Sequence, residues 1–445
     1  MQALRDRSNR PARRSWTPWL VAGLVVLFAA AGGIAYAATA SKQKSAVQCG
    51  VGTSCSSSAT SGAVTDSATK TISVVSTSPA SGSTNVQPNS RVTVKFSSAV
   101  AANSPTPTIT PNVTGSWAHV GEDLVFTPAR SLVPYTKYTV TIPGGASGVV
   151  GVGGAHLRSS TTVPFTVAAG SVLRLQQLLA KLGYLPLTFS GTTPAPIDMA
   201  LPQPGTFSWK WSSLPSALTS QWVAGSANPL TKSAVMMFET QNGLSVDGIA
   251  GPIVWTSLLS DAATNKANSE PWTYVLVTKT MSPSEHLTAW VNGTLQFHDV
   301  LVNTGVRGAT TRNGTFEVFE HVRESHMSGT DVTGTHYTIP TVPWVSYFNG
   351  GDALHYYPRA SYGFPQSNGC VEMQLATAQA LWPDTPIGTL VTVQGPTNGG
   401  TSAKNTTPAQ VSAGATSPTP TTSTTTSASA AAATTSTTTT AAPAG

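Results

Sequence analysis

Charge is what this sequence has least of. Only 9% of its 445 residues are Asp, Glu, Lys or Arg, while Thr, Ser, Ala, Gly and Pro abound. So little charge speaks against a cytosolic enzyme and for exported, β-rich modules joined by linkers. The formal net charge of +6 does not signal a nucleic-acid binder. Arg5, Arg7, Arg10, Arg13 and Arg14 crowd the first fourteen positions, the remainder is near neutral, and no basic stripe is interleaved with aromatics. Metal-ligand spacing is lacking too: His286, His298, His321, His326 and His336 are scattered among strands and loops without a cysteine partner. No metal, organic cofactor or nucleic-acid partner is expected. Cysteine is nearly absent, with three in the whole chain.

What is there begins with one long uncharged run, Trp19 to Ala38, directly after the arginines. It is about as long as a bilayer core requires. The basic flank places residues 1–18 in the cytoplasm, and Trp16 and Trp19 stand where interfacial anchors belong. A single-pass transmembrane anchor over 19–38 is expected. The alternative is a cleaved signal peptide, since Ala35-Tyr36-Ala37 has small-x-small form. Either reading exports everything after residue 40. In an oxidising compartment Cys49 and Cys55 can close a small disulfide loop or pair between chains. Cys370 is then left over, and an odd cysteine in an exported protein requires a reason.

The length corresponds to about three domains. Residues 39–70 read as a Ser/Thr/Ala/Gly linker. Over 71–168 apolar and polar residues alternate between Pro- and Gly-marked turns, which predicts an all-β sandwich. Pro79 to Gly82 and Phe126 to Ile142 carry patterns similar to bacterial immunoglobulin-like domains. From Ser171 the period becomes helical: Val172, Leu175, Leu178, Leu179 and Leu182 form a stripe ending at Gly183. Two further helices flank the Gly-rich turn "DGIAGP". Leu175-Gln176, Leu182-Gly183-Tyr184, Phe238, Leu244, Asp247-Gly248-Ile249, Gly251-Pro252 and Trp255 resemble the peptidoglycan-binding repeat family, which implies a small helical wall-binding module over 171–260. The stretch between Tyr184 and Asn228 is longer than that family's connection. Its aromatics, Phe207 to Trp211 and Trp222, either cap the module's core or form a glycan-stacking platform. Residues 272–395 read as a mostly-β domain with a minor helix, "ATAQALW", and a hairpin turn at Asn292-Gly293. Residues 396–445 are almost wholly Thr, Ser, Ala, Pro and Gly, cannot bury a core and are expected to be disordered.

Cys370 sits in "QSNGCVEM", a loop followed shortly by a helix. A thiolate is a strong nucleophile where its surroundings activate it. Backbone N–H groups in a Gly-containing turn can form an oxyanion hole. The candidate base is His355, fifteen positions upstream, and a loop of that length can return the chain within hydrogen-bond reach. An isolated Cys/His pair equally describes a small buried thiol and an unrelated histidine.

The surrounding pattern resembles L,D-transpeptidase (YkuD-like) catalytic domains. Their signature is a histidine followed some fifteen residues later by S-H-G-C and an aliphatic residue; His355, Ser367, Gly369, Cys370 and Val371 match. Thr311, Gly314 and Phe316 match a second element. The resemblance implies a cysteine acyltransferase of peptidoglycan biosynthesis and cell-wall organisation. Cys370 would take the acyl group of a stem peptide's third residue, release D-Ala and pass the acyl group to another stem as a 3→3 cross-link. His355 would be the base, with Asn368, Gly369 and Ser367 supporting the oxyanion. The partners implied are peptidoglycan stems and glycan, met on the outer side of the membrane. Asn368 departs from the family's second histidine and cannot carry a proton. Tyr356 replaces a small residue; if its carbonyl orients His355, its side chain matters little. Glu372 replaces a basic or amide residue and is expected to meet a substrate ammonium, with Arg359 as a substitute cation. His336 and Tyr337 are expected to line the groove. An L,D-carboxypeptidase and a catalytically decayed wall-binding scaffold are the rival readings.

Overall fold

The computed structural model describes residues 71–396. The apolar run 19–38, Cys49, Cys55 and the tail beyond 396 lie outside the described residues. Among the described residues no helix is long and apolar enough to cross a membrane.

The first module is a sandwich of two four-stranded sheets. One has the order β1-β3-β6-β5, from Val74–Ser78, Val92–Phe96, Asp123–Pro128 and Gly115–Val120. The other has the order β2-β8-β7-β4, from Ser83–Val86, Thr161–Val167, Lys137–Ile142 and Thr108–Thr110. The sequence alternation is the burial alternation: Leu124 and Phe126 of β6 meet Tyr138, Val140 and Ile142 of β7 in the core.

The helical module contains α1 (Val172–Lys181), the hairpin β9–β10 (Leu187–Gly191, Gly205–Trp209), α2 (Ser216–Thr219), α3 (Pro229–Gln241) and α4 (Pro252–Thr264). Caps set the ends: the Ser171 and Asn228 side chains accept from Arg174 and Thr231 N–H groups, and proline opens α3 and α4. The predicted stripe of α1 is buried from Leu175 onward, with Val172 half-buried, but so are Arg174, Gln176 and Gln177. The insertion after Tyr184 wraps the helix's polar face and satisfies it. Arg174 Nε donates to the Met199 carbonyl at 2.7 Å, and Gln177 Nε2 to Gln203 at 2.8 Å. Gln176 Nε2 reaches Thr231 Oγ1 at 2.9 Å.

The same insertion decides the role of its aromatics. Phe207 packs at 5.1 Å from both Phe189 and Trp222, and Trp211 lies 5.9 Å from Trp272. Phe207, Trp209, Trp211 and Trp222 all rest on one core that runs from α1 into Trp272, Tyr274, Trp290 and Leu390. They join the helical module to the domain that follows and form no open platform. Lys232–Glu317 at 2.7 Å and Ser233 Oγ to the Gly388 carbonyl at 2.6 Å extend that junction.

A prediction follows from the predicted hairpin turn, which is present with Asn292 at φ 47° and Gly293 at φ 74°. A Cβ at residue 293 would overlap the Trp211 ring. Gly293→Ala therefore combines left-handed strain with displaced packing and should cost about 2–4 kcal/mol in denaturant unfolding. Gly334→Ala, with φ 86° and open space around it, should cost only the strain, about 1–2 kcal/mol. Equal losses would show that Trp211 is not held there.

The third module packs two sheets face to face. The five-stranded sheet has the order β13-β12-β11-β19-β14 (Thr294–Leu301, His286–Val291, Thr273–Thr278, Leu390–Gln394, Gly314–Glu317). The four-stranded sheet has the order β15-β16-β17-β18 (Glu320–Thr330, His336–Asn349, Asp352–Tyr356, Val371–Met373). Val275, Val277, Leu287 and Ala289 face Leu354, Val371 and Met373 between them, closed by Ala378 and Leu381 of α5 (Leu375–Leu381).

Candidate active site

β17 and β18 run parallel, pairing Leu354 with Val371 and His355 with Glu372. Leu354 and Val371 point into the core between the sheets. Strand alternation then turns His355 and Glu372 to the other face. There Cys370, just before β18, packs with Ala353, Met327, Val342, Val345 and Tyr347 beneath the β15–β16 hairpin. The hydrophobic period thus turns His355 of β17 to the face on which Cys370, immediately before the adjacent β18, is also packed. Both are buried, His355 at 0% and Cys370 at 1% exposure.

His355 Nδ1 lies 2.8 Å from the Tyr356 carbonyl oxygen. A carbonyl only accepts, so Nδ1 carries the proton and Nε2 is the basic nitrogen. Burial pushes the imidazole pKa down to about 4, the Tyr356 bond opposes this, and the Arg359 charge adds to it. The Cys370 Sγ lies 3.5 Å from the Gly351 carbonyl oxygen. Burial pushes the thiol pKa well above its ordinary value, the Asp352 and Glu372 charges push the same way, and the Ala353 N–H pulls it back. The resting pair is accordingly a neutral thiol and a neutral imidazole.

The cysteine loop is braced from inside. Ser367 Oγ donates to the Cys370 carbonyl at 2.5 Å and accepts from the Gly369 N–H at 3.2 Å. The Gly369 N–H expected as an oxyanion donor is therefore engaged within the loop. Gly369 itself is required: its φ is 122°, and a Cβ would overlap the Asp352 carboxylate. The sequence reading passed over Asp352. It accepts from Asn349 at 3.0 Å, and burial raises its pKa to about 6. Its one sequence signal is a carboxylate in "GGDALH", three positions before the histidine.

Asn368 and Tyr337 come together here. The Tyr337 hydroxyl and both Asn368 side-chain polar atoms are buried without a hydrogen bond of ordinary geometry among the described residues. Burial raises the Tyr337 pKa, the nearby Asn368 amide draws it back, and the Cys370 charge raises it further.

Two expectations about substrate contact are corrected, for His336 and for Arg359 with Glu372, while Tyr356 has the carbonyl role weighed for it. Tyr356 packs its ring against the inter-sheet core, because it alternates with His355; only its carbonyl serves the site. His336 is exposed and binds Thr330 Oγ1 at 2.9 Å at the hairpin's end, turned away from its neighbour Tyr337. Arg359 and Glu372 meet each other rather than substrate: Nε–Oε2 and Nη2–Oε1 are both 2.7 Å, with side chains 1% and 0% exposed.

Three family models match the chain. They are a bacterial Ig-like domain over residues 68–167, a putative peptidoglycan binding domain over 219–258, and an L,D-transpeptidase catalytic domain over 274–393. A comparison with curated protein sequences found no match. Among solved structures, an L,D-transpeptidase from Mycobacterium smegmatis is 12% identical, with 73% of this chain and 99% of that one covered and a TM-score of 0.26. One from Stackebrandtia nassauensis is 21% identical, covering 40% and 88%, with a TM-score of 0.23. The catalytic domain of the E. faecium L,D-transpeptidase is 22% identical, covering 27% and 96%, with a TM-score of 0.25.

Proposed function

We propose that Cys370 forms 3→3 peptidoglycan cross-links through a thioester, a reading supported by the match of residues 274–393 to an L,D-transpeptidase catalytic domain in a chain that also matches Ig-like and peptidoglycan-binding modules. The observation that carries this reading is the placement of His355 in β17 and Cys370 immediately before the adjacent parallel β18, with His355 Nδ1–H fixed on the Tyr356 carbonyl. The thiol attacks the carbonyl between the third stem residue and D-Ala while His355 Nε2 takes its proton. The C–N bond breaks, the imidazolium returns that proton to the departing D-Ala amine, and the acyl group stays on sulfur. An amine of a second stem then attacks the thioester, His355 receives the amine's proton, and the thiol is restored.

The developing oxyanion is met by the Cys370 N–H, the Asn368 amide and the Tyr337 hydroxyl, which is already dehydrated and so costs little to turn toward it. Asn368 thereby does by hydrogen bonding what needs no proton transfer. The work is done on the wall side of a membrane, with residues 19–38 as anchor and the peptidoglycan-binding module holding the polymer. Around the "DGIAGP" turn Ile249 and Ile253 are 67% and 70% exposed beside a cleft of about 430 Å³ lined by Tyr135, Leu175, Pro252 and Trp255.

The test is product analysis by mass spectrometry after incubating the full-length protein with disaccharide-tetrapeptide. The expected product is a dimer formed with loss of one D-Ala. Tripeptide monomer alone would make the enzyme a carboxypeptidase, and unchanged substrate would contradict the catalytic reading altogether.

A further inference from the structure

Arg359 and Glu372 are thirteen positions apart in sequence: Glu372 lies in β18 beside His355, and Arg359, in the loop that leaves β17, folds back onto it. Their ion pair has two parallel arms and almost no solvent exposure. Arg359 Nη2 also donates to the Gln366 carbonyl at 3.1 Å, and the guanidinium lies 4.7 Å from the centre of the Tyr357 ring. Glu372 is tied through its backbone to Asn303, at 2.9 and 3.0 Å, and Asn303 Oδ1 accepts from Gly363 N–H at 3.0 Å. The loop from Tyr357 to Ser367 is thus clamped at its start, middle and end. At one end stands His355, the register partner of Glu372; at the other stands Cys370.

We propose that Arg359 and Glu372 are a positioning pair for His355: an internally neutral clamp that fixes the histidine's strand to the cysteine's loop and cancels the arginine charge where the imidazole must take a proton. This rests on His355 being the base. A lone guanidinium held in this dry site would oppose the imidazolium formed when the thiol attacks. A lone carboxylate would trap it and slow return of the proton to the leaving amine. The titratable groups facing the pair are Tyr357, Tyr362, His355 and Cys370, and burial raises the phenols of Tyr357 and Tyr362 so that both stay neutral. The pair therefore carries the charges that act on His355 from within the clamp.

The test is a ¹³C-histidine NMR titration of the full-length protein, with the His355 signal assigned by its loss in His355→Gln, read beside the rate of Cys370 acylation at each pH. Arg359→Met should raise the His355 midpoint by about one pH unit, and Glu372→Gln should lower it. The double variant Arg359→Met/Glu372→Gln should return it to the wild-type value, and it should fold well because removing both members of a buried pair is far milder than removing one. Acylation should fall roughly 10–100-fold in each single variant and recover in part in the double. Midpoints that stay put in all three variants, with rates following thermal stability alone, would overturn the proposal and leave a structural clamp. The NMR midpoints read the pair's effect whether or not the protein acylates, so failure of the catalytic reading is seen separately.

Discussion

Replacing Cys370 with alanine is expected to abolish both thioester formation and cross-linking while leaving the chain folded. The sulfur is the atom that bonds to the acyl group, and removal of a covalent nucleophile costs on the order of 10⁶-fold in hydrolases that work this way. The structural cost is small, because the Cys370 side chain packs among Met327, Val342, Val345 and Tyr347, and its thiol's contact with the Gly351 carbonyl is a long one. Dimer formation from tetrapeptide stems and the thermal transition should be measured on the same sample. Alanine at Cys49 and Cys55, which lie far from the catalytic domain in sequence, should leave turnover unchanged. Turnover surviving in the Cys370 variant would place the nucleophile elsewhere.

His355→Ala should reduce acylation by about 10²–10⁴-fold, the contribution of a general base. The pH dependence follows from its burial. A base must be unprotonated to act, and the His355 pKa is pushed down to about 4. The rate of acylation should hold level as pH falls from 7 to about 5 and drop only as it passes through about 4. A break near the ordinary histidine value of about 6.5 would mean that a solvated histidine is the base. Asn368→His should be tolerated, and Asn368→Ala should lose at most about 10²–10³-fold, the worth of one oxyanion donor.

Much of this was legible in the sequence. Alternation in 71–168, the stripe from Leu175 to Leu182 and the Asn292-Gly293 turn each report a local period or a local dihedral preference, and the structure has the sandwich, the helix and the hairpin. The matches of His355, Ser367, Gly369 and Cys370 to a spaced motif carried the site. What sequence did not show was pairing across strands. Nothing local joins Arg359 to Glu372; the loop after β17, folding back on β18, does. From sequence alone each is therefore expected to meet substrate. Strand alternation already implied that Tyr356 turns away from His355, but a loop motif drew attention from it. The insertion's tryptophans illustrate the same limit: composition says aromatic, and only the fold says that Trp211 lies against Trp272 and over Gly293. Asp352 was passed over because its proximity to Gly369 exists only after β16, β17 and the cysteine loop converge.

The central claim is that Cys370 is an acylable nucleophile, and intact-mass analysis of the full-length wild-type protein after incubation with a carbapenem tests it most directly. The account predicts a mass increase of one ligand per chain, mapped by peptide sequencing to Cys370 and absent from Cys370→Ala. A wild-type protein that stays unmodified, or an adduct that persists in Cys370→Ala, would contradict it.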